Sequence, residues 1–314
     1  MTRYIIRRLI HALFIVWGVA TLVFFLLQMI PGDPAIQMLG EEYTAEAAAD
    51  LNRKYGYDKP IYVQYFKWLG SMLQGDLGRS VASGETVTDA IKTAFPKTLS
   101  ITIVSFFIAV LIAVPTGIIA ALKRNSAIDY SMSIMAFIGV SMPSFWFGIV
   151  LIIVFAVRLN WLPAIGYRPL SDGFWEWLKH LLLPALAVGT GYSAILMRFV
   201  RAGLLEVLGS DYVRTARSKG LRETSVVIRH ALRNALIPVV TIAGIQLALL
   251  LNGTVIIEIV FSIRGMGRLL VRGILDKDYP IVQTTILIVA VIFVMANLIV
   301  DILYTFLDPR IRYD

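Results

Sequence analysis

Residues 210–238 read SDYVRTARSKGLRETSVVIRHALRNALIP, and their reading decides how the rest of the chain must be arranged. They form a long polar, basic interruption in the second half of an otherwise apolar sequence. Ser210 or Asp211 can accept the free N–H groups at a helix start. Gly220 supplies the left-handed residue that commonly closes a helix. A second helix opens near Glu223 and runs into the apolar segment at Pro238. Arginines recur at helical spacing on both pieces, Arg214 and Arg217 on the first, Arg229 and Arg233 on the second. Two short helices around a glycine, set between apolar blocks, have the form of a docking elbow for a partner protein.

The flanking blocks show what the elbow interrupts. Of 314 residues, 58% are hydrophobic and only 16% charged, and the mean hydropathy is +0.75. A soluble domain is nearer half apolar, with about a quarter of its residues charged. The apolar residues fall in blocks about 20 long, the length that crosses a bilayer as a helix. An all-α polytopic membrane protein follows. The net charge of +8 then belongs to cationic loops beside a membrane rather than to a nucleic-acid surface. The absence of cysteine excludes disulfides, thiolate metal sites and cysteine nucleophiles. His11, His180 and His230 lie too far apart in sequence to suggest a metal site.

Six spans are expected. The first, 9–30, follows Arg3, Arg7 and Arg8. It is longer than a signal-peptide core and lacks a small-x-small cleavage site, so it reads as retained. Residues 31–97 are too polar to span and read as an extracytoplasmic helical domain. It holds helices over 44–55, closed by Gly56, and over 60–74, opened by Pro60 and stopped by Gly75. Tyr62, Phe66, Leu69 and Leu73 share one face of the latter, which is expected to pack within that domain. A permease-like core covers 98–306, with further spans at 98–122, 130–157, 181–197, 237–260 and 281–306. Pro143 is expected to kink the third span. Trp161, Trp175 and Trp177 mark a membrane interface. The elbow occupies a loop over 198–236. Residues 261–279 are amphipathic and are expected outside, as a short or re-entrant helix. A cytoplasmic tail covers 307–314.

Orientation follows from Lys and Arg. With both termini inside, the cytoplasmic pieces hold 15 of them, against 7 in the two short external loops. The long first loop carries little topological weight. No nucleotide-binding Gly-rich loop, His-Glu-x-x-His or Gly-x-Ser-x-Gly is present. The polar candidates within the spans are Gln246, Asn252, Glu258, Asn297 and Asp301, best read as interhelical hydrogen-bonding groups. Ion-coupled carriers place ionisable groups deep in their spans. A charge-poor interior points instead to a pathway moved from outside the bilayer.

With Gly220 followed by His230-Ala231-Leu232-Arg233-Asn234 and Pro238, the elbow closely resembles the cytoplasmic coupling loop of ABC importer permeases. More narrowly it is similar to B-type permeases of the dipeptide/oligopeptide importer family. Further family landmarks occur in family order. They are residues 4–8, Pro31-Gly32-Asp33-Pro34, Tyr57-Asp58-Lys59-Pro60, Gly75-Asp76-Leu77-Gly78, Pro96-Lys97-Thr98-Leu99, Asp278-Tyr279-Pro280 and Asp308-Pro309-Arg310-Ile311-Arg312. The chain departs from importer permeases at large where they carry Glu-Ala-Ala and it has Arg214-Thr215-Ala216, as the peptide branch does. It departs again where the family often has Trp-Pro-Gly and it has Ile263-Arg264-Gly265.

The resemblance implies a non-enzymatic transport subunit in the bacterial cytoplasmic membrane. Its partners would be a C-type permease, two cytoplasmic ATPases, an extracytoplasmic substrate-binding protein and membrane lipid, with no nucleic acid. This chain would bind no cofactor, ATP and Mg being held by the ATPases. Asp211, Tyr212, Arg214, Ala216, Arg217, Gly220, Arg222 and Arg229 would form the ATPase-coupling surface, with Gly220 making the sharp turn. Substrate-binding residues are not legible. Nickel and glutathione importers of the same family are alternatives, as are, from other classes, an ion-coupled secondary transporter and a membrane docking protein.

Overall fold

A computed structural model describes residues 2–29, 39, 44–56 and 58–307. Among them there is no named strand, only an isolated bridge between Arg79 and Thr86. Several sequence landmarks lie outside the described residues, namely Pro31-Gly32-Asp33-Pro34, Tyr57, the tail from Asp308 and the Asp301 side chain. Eleven helices carry the architecture: α1 (Thr2–Gln28), α2 (Ala45–Tyr55), α3 (Ile61–Leu73), α4 (Val87–Leu122), α5 (Ala127–Ser141), α6 (Ser144–Leu151), α7 (Phe174–Leu208), α8 (Asp211–Ser218), α9 (Leu232–Val260), α10 (Met266–Leu275) and α11 (Tyr279–Leu307). Five helical stretches are long and apolar enough to cross a membrane, and a sixth crossing is available if the bent pair α5–α6 counts as one span.

The centre is the α4–α7 pair. These two long helices approach so closely that glycine is required at the seam. A Cβ on Gly189 would lie 2.7 Å from the carbonyl oxygen of Ser105, and one on Gly117 would lie 2.7 Å from Cβ of Val200. Small residues allow such approach where no water is present to drive association. Helices α5 and α9 pack on α7, α11 packs on α9, and α1 packs on α11 at the periphery. Leu181, Leu183, Val188, Leu250 and Ile257 are buried at the heart of this arrangement.

The third span differs from expectation. Instead of one kinked helix over 130–157, the chain stops at Ser141 and restarts at Ser144, with the two pieces bent by 102°. The physical reason is local. Pro143 pushes the preceding residue out of the helical region, and Met142 is extended, with ψ 122°. Pro143 then opens α6 from its N-cap position. The fourth span is also longer than 181–197. It begins at Phe174, so Trp175 and Trp177 belong to its first turn.

The helices of the first loop form where their caps predict. The Thr44 hydroxyl accepts the N–H of Ala47 at 3.2 Å, and Gly56 closes α2 with φ 78°. Gly75, with φ 82°, follows the end of α3. The face of α3 that packs is not the expected one. Tyr65 and Trp68 pack on Phe24 of α1 with ring centroids 5.3 Å apart. The stripe of Tyr62, Phe66 and Leu73 is exposed, by 63, 67 and 83%. Helix α1 covers the neighbouring arc that holds Tyr65 and Trp68.

Residues 261–279 resolve into α10, which folds back beside α9. A Cβ on Gly267 would lie 2.5 Å from Cα of Val255. Phe261 and Ile263 join the central apolar cluster.

A candidate partner-coupling site

The elbow forms as α8, a turn at Gly220 and a second helical stretch beginning at Glu223. That stretch passes through a π-helical turn, Val226–Ala231, into α9. Ser210 occupies the N-cap position of α8, but its hydroxyl does not cap the helix. It donates instead to the Val207 carbonyl at 2.6 Å. Asp211 contributes as the acidic residue of the first turn, where it complements the positive end of the helix. Gly220 adopts φ 75°, as its role in the turn requires. Nothing lies within 4 Å of where its Cβ would be, so the constraint there is purely one of backbone conformation.

The inner face of the elbow is an apolar seat. Val213, Ala216, Val226 and Ala231 pack with Leu204 of α7, Ala121 of α4 and Ala235 of α9. At Gly203 a Cβ would lie 2.8 Å from the Ala235 carbonyl oxygen, which shows how closely α7 and α9 converge beneath the elbow. The elbow is therefore mounted on three spans at once. Ala216, one of the expected coupling residues, belongs to this seat. Its side chain is buried and faces the spans rather than a partner.

The outer face carries the charge. Arg214, Arg222 and Arg229 are exposed. Arg217 is engaged within the elbow. Its Nη2 and Nε donate to the two carboxylate oxygens of Glu223 at 2.6 and 3.1 Å, a bidentate pair that staples the two helices across Gly220. The carboxylate raises the pKa of Arg217 above its ordinary value. Tyr212 is tied to the second helix, its hydroxyl accepting from Asn234 Nδ2 at 2.8 Å. Of the eight expected coupling residues, the structure thus leaves the three arginines 214, 222 and 229 with Asp211 on the open surface. It sets Tyr212 at the edge, uses Arg217 and Gly220 for the turn, and turns Ala216 inward.

Two buried polar clusters lie away from the elbow, on the side of α10. Glu258 is fully buried. Its Oε1 accepts from the Thr98 hydroxyl at 2.5 Å, and its Oε2 accepts from the N–H of Arg268 at 2.9 Å. The same Thr98 oxygen accepts from the N–H of Met266 at 2.8 Å. A side chain on Gly265 would collide with both Glu258 and Thr98, so the glycine kept in Ile263-Arg264-Gly265 permits this joint. Asp278 is also buried and accepts from the Ser80 hydroxyl and from the N–H of Ala82 at 3.4 Å. A third pair ties the start of α5 to α7. Arg201 Nε and Nη2 each lie 2.7 Å from Asp129, whose own side chain is almost fully buried.

Glu258 therefore makes the interhelical bonds expected of it. Asn297 instead bonds its own helix, at the Phe293 carbonyl. Asn252 lines a cavity of about 190 Å³ with Phe95, Thr98, Met266 and Leu270. Gln246 is buried and its Oε1 has no partner.

By fold and site this is a multi-span helical membrane protein with a charged elbow seated on three of its spans. The chain belongs to the family described as binding-protein-dependent transport system inner membrane components, whose profile matches residues 113–313. The N-terminal profile of the same group matches residues 1–102.

Relatives align over their full length. The oligopeptide transport system permease protein AppB of Bacillus subtilis (strain 168) is 41% identical over 316 residues, covering 100% of both chains. The dipeptide transport system permease protein DppB of Alkalihalophilus pseudofirmus is 39% identical, again covering 100% of both chains. The glutathione transport system permease protein GsiC of Escherichia coli O6:H1 is 42% identical with the same coverage. Among solved structures, the inward-facing MetNI methionine ABC transporter matches in fold. Its TM-score is 0.60 at 19% identity, covering 70% of this chain and 97% of that one. The protein is a multi-pass inner-membrane component of a binding-protein-dependent transport system.

Proposed function

We propose that this chain is one of two permease subunits of an ATP-driven importer that carries di- and oligopeptides into the bacterial cytoplasm. Both termini and the elbow face the cytoplasm. A C-type permease completes the pathway, two ATPase subunits hold ATP and Mg, and a substrate-binding protein delivers the peptide outside. Closure of the ATPases pushes on the elbow, and the three spans beneath it move together. The chain itself performs no chemical step.

The peptide reading is carried by full-length identity of 39–41% to permeases named for oligopeptide and dipeptide transport. The coupling reading is supported by exposed Arg214, Arg222 and Arg229 on a segment whose other face is fixed to α4, α7 and α9. The buried carboxylates Asp129 and Glu258 are both engaged, which suits a pathway driven from outside better than a proton relay.

The test is uptake of labelled di- and oligopeptides into liposomes holding the assembled transporter, with ATP supplied on the ATPase side. ATP-dependent accumulation is expected. Accumulation that persists after the ATPase subunits are removed would overturn the proposal. A second reading, glutathione import, is favoured by the 42% identical glutathione permease. It predicts that glutathione displaces labelled peptide.

A further inference from the structure

The exposed stripe on α3 carries an inference that the sequence reading missed. We infer that α3 is not part of a water-borne external domain but lies in the bilayer interface, its Tyr62–Phe66–Leu73 face sunk into the acyl chains beside α1.

Three observations carry this. The first is depth. Gln28 Nε2 donates to Gln64 Oε1 at 3.1 Å, and the Tyr65 hydroxyl lies 2.7 Å from the hydroxyl of Thr21. These contacts pin α3 to the last seven or so residues of the first span, a rise of about 10 Å. Interfacial helices sink their apolar face by about 5–10 Å, so α3 sits at the depth such helices occupy.

The second is the distribution of side chains around the helix. Winding about 100° per residue, the α1-facing pair Tyr65 and Trp68 and the outer set Tyr62, Phe66, Leu69 and Leu73 share one broad apolar arc. Gln64, Lys67 and Gln74 lie on the other side. The helix holds no carboxylate, and its single charge is Lys67, a residue suited to anionic headgroups. Position 67 also faces the end of α2, where a Cβ on Gly56 would lie 3.6 Å from Lys67 Nζ.

The third is continuity. Helix α1 is a span by length and hydropathy, and it exposes Leu13, Phe14, Trp17, Leu22, Phe25 and Leu26. The exposed stripe on α3 lies beside this surface, the two helices being joined by the Phe24–Tyr65 and Phe25–Tyr65 ring contacts. The occupant that already covers α1 is the hydrocarbon of the bilayer, and the same occupant fits α3.

The chain has no cysteine, so single reporters can be placed directly. Phe66→Cys, Leu73→Cys and Lys67→Cys variants would each carry a nitroxide in the assembled transporter, reconstituted in phosphatidylcholine and phosphatidylglycerol liposomes. Collision with oxygen, which concentrates in hydrocarbon, is compared with collision with a water-soluble nickel chelate. We expect positions 66 and 73 to favour oxygen severalfold over position 67. Equal access of nickel at all three would place α3 in water and overturn the inference. Low collision with both reagents at 66 and 73 would mean a protein partner covers the stripe, which would also overturn it. Tyr62→Cys supplies a further position on the same face should one variant fail to assemble.

Discussion

At the joint formed by α4, α9 and α10, the Glu258 carboxylate is fully buried and meets Thr98 and the N–H of Arg268. At the elbow, Arg214, Arg222 and Arg229 face outward on exposed positions. The joint has used its polar groups on itself, linking residues 160 apart in the chain. The elbow has used Arg217 with Glu223 and Tyr212 with Asn234 on itself, and has left Arg214, Arg222 and Arg229 exposed. A region whose polar groups are satisfied internally holds its own shape. A region with an apolar seat and exposed charge outside keeps that charge open to a partner.

This contrast breaks or sharpens by substitution. The largest effect is expected from Glu258→Ala, which leaves the Thr98 hydroxyl and the Arg268 amide without their acceptor in a dry site. The loss should be about 2–4 kcal/mol, read as a lower thermal midpoint of the detergent-solubilised protein. The fraction that remains folded should bind ATPase subunits normally. Normal stability in this variant would show that the joint is not self-supporting.

Next in size, Gly220→Val forces a β-branched residue into φ 75°, at a cost of about 1–2 kcal/mol, with no steric clash to add. Membrane insertion should be unchanged while co-purification of the ATPases falls. Wild-type recovery of the ATPases with Gly220→Val would remove the turn from the coupling argument. Charge reversal at Arg214, Arg222 or Arg229 should weaken ATPase binding by about tenfold, or about 1.4 kcal/mol, and leave the thermal midpoint in place. An arginine whose reversal changes only membrane orientation serves topology rather than docking. The smallest effect belongs to Arg217→Ala. The Arg217 and Glu223 side chains are 43 and 56% exposed, so their pair contributes on the order of 0.5 kcal/mol, seen as a slight, salt-sensitive loosening of the elbow.

The elbow was the more legible of the two regions. Its glycine, its first-turn acid and its second helix from Glu223 follow from local chemistry, and local chemistry is what spacing records. Thr44 and Gly56 around α2 are legible for the same reason. The joint was not. Thr98 and Glu258, Ser80 and Asp278, and Asp129 and Arg201 each meet across large sequence separations. A single sequence records no sign of which span faces which. Glu258 was visible only as a charge in an apolar run, and Asp129, just ahead of the expected third span, was not singled out. Pro143 announced a disturbance without its size, because a proline permits either a kink or a full break until the packing around it decides. The stripe on α3 was read as one apolar face packing within its own loop, and the structure leaves Tyr62, Phe66 and Leu73 of it exposed. Periodicity tells that a face is apolar and nothing about which material covers it.

The glycine seam between α4 and α7 has a mechanical consequence. With Gly117 against Val200 and Gly189 against Ser105, the two helices touch at stations about three turns apart and cannot slide or splay there without opening a void. They behave as one beam. Helix α7 has 35 residues and is therefore about 50 Å long. A tilt of about 10° around its middle would carry each end by about 4–5 Å in opposite directions. A small push at the elbow seat would thus reach the far end at full amplitude, with stiffness rather than distance setting what is transmitted.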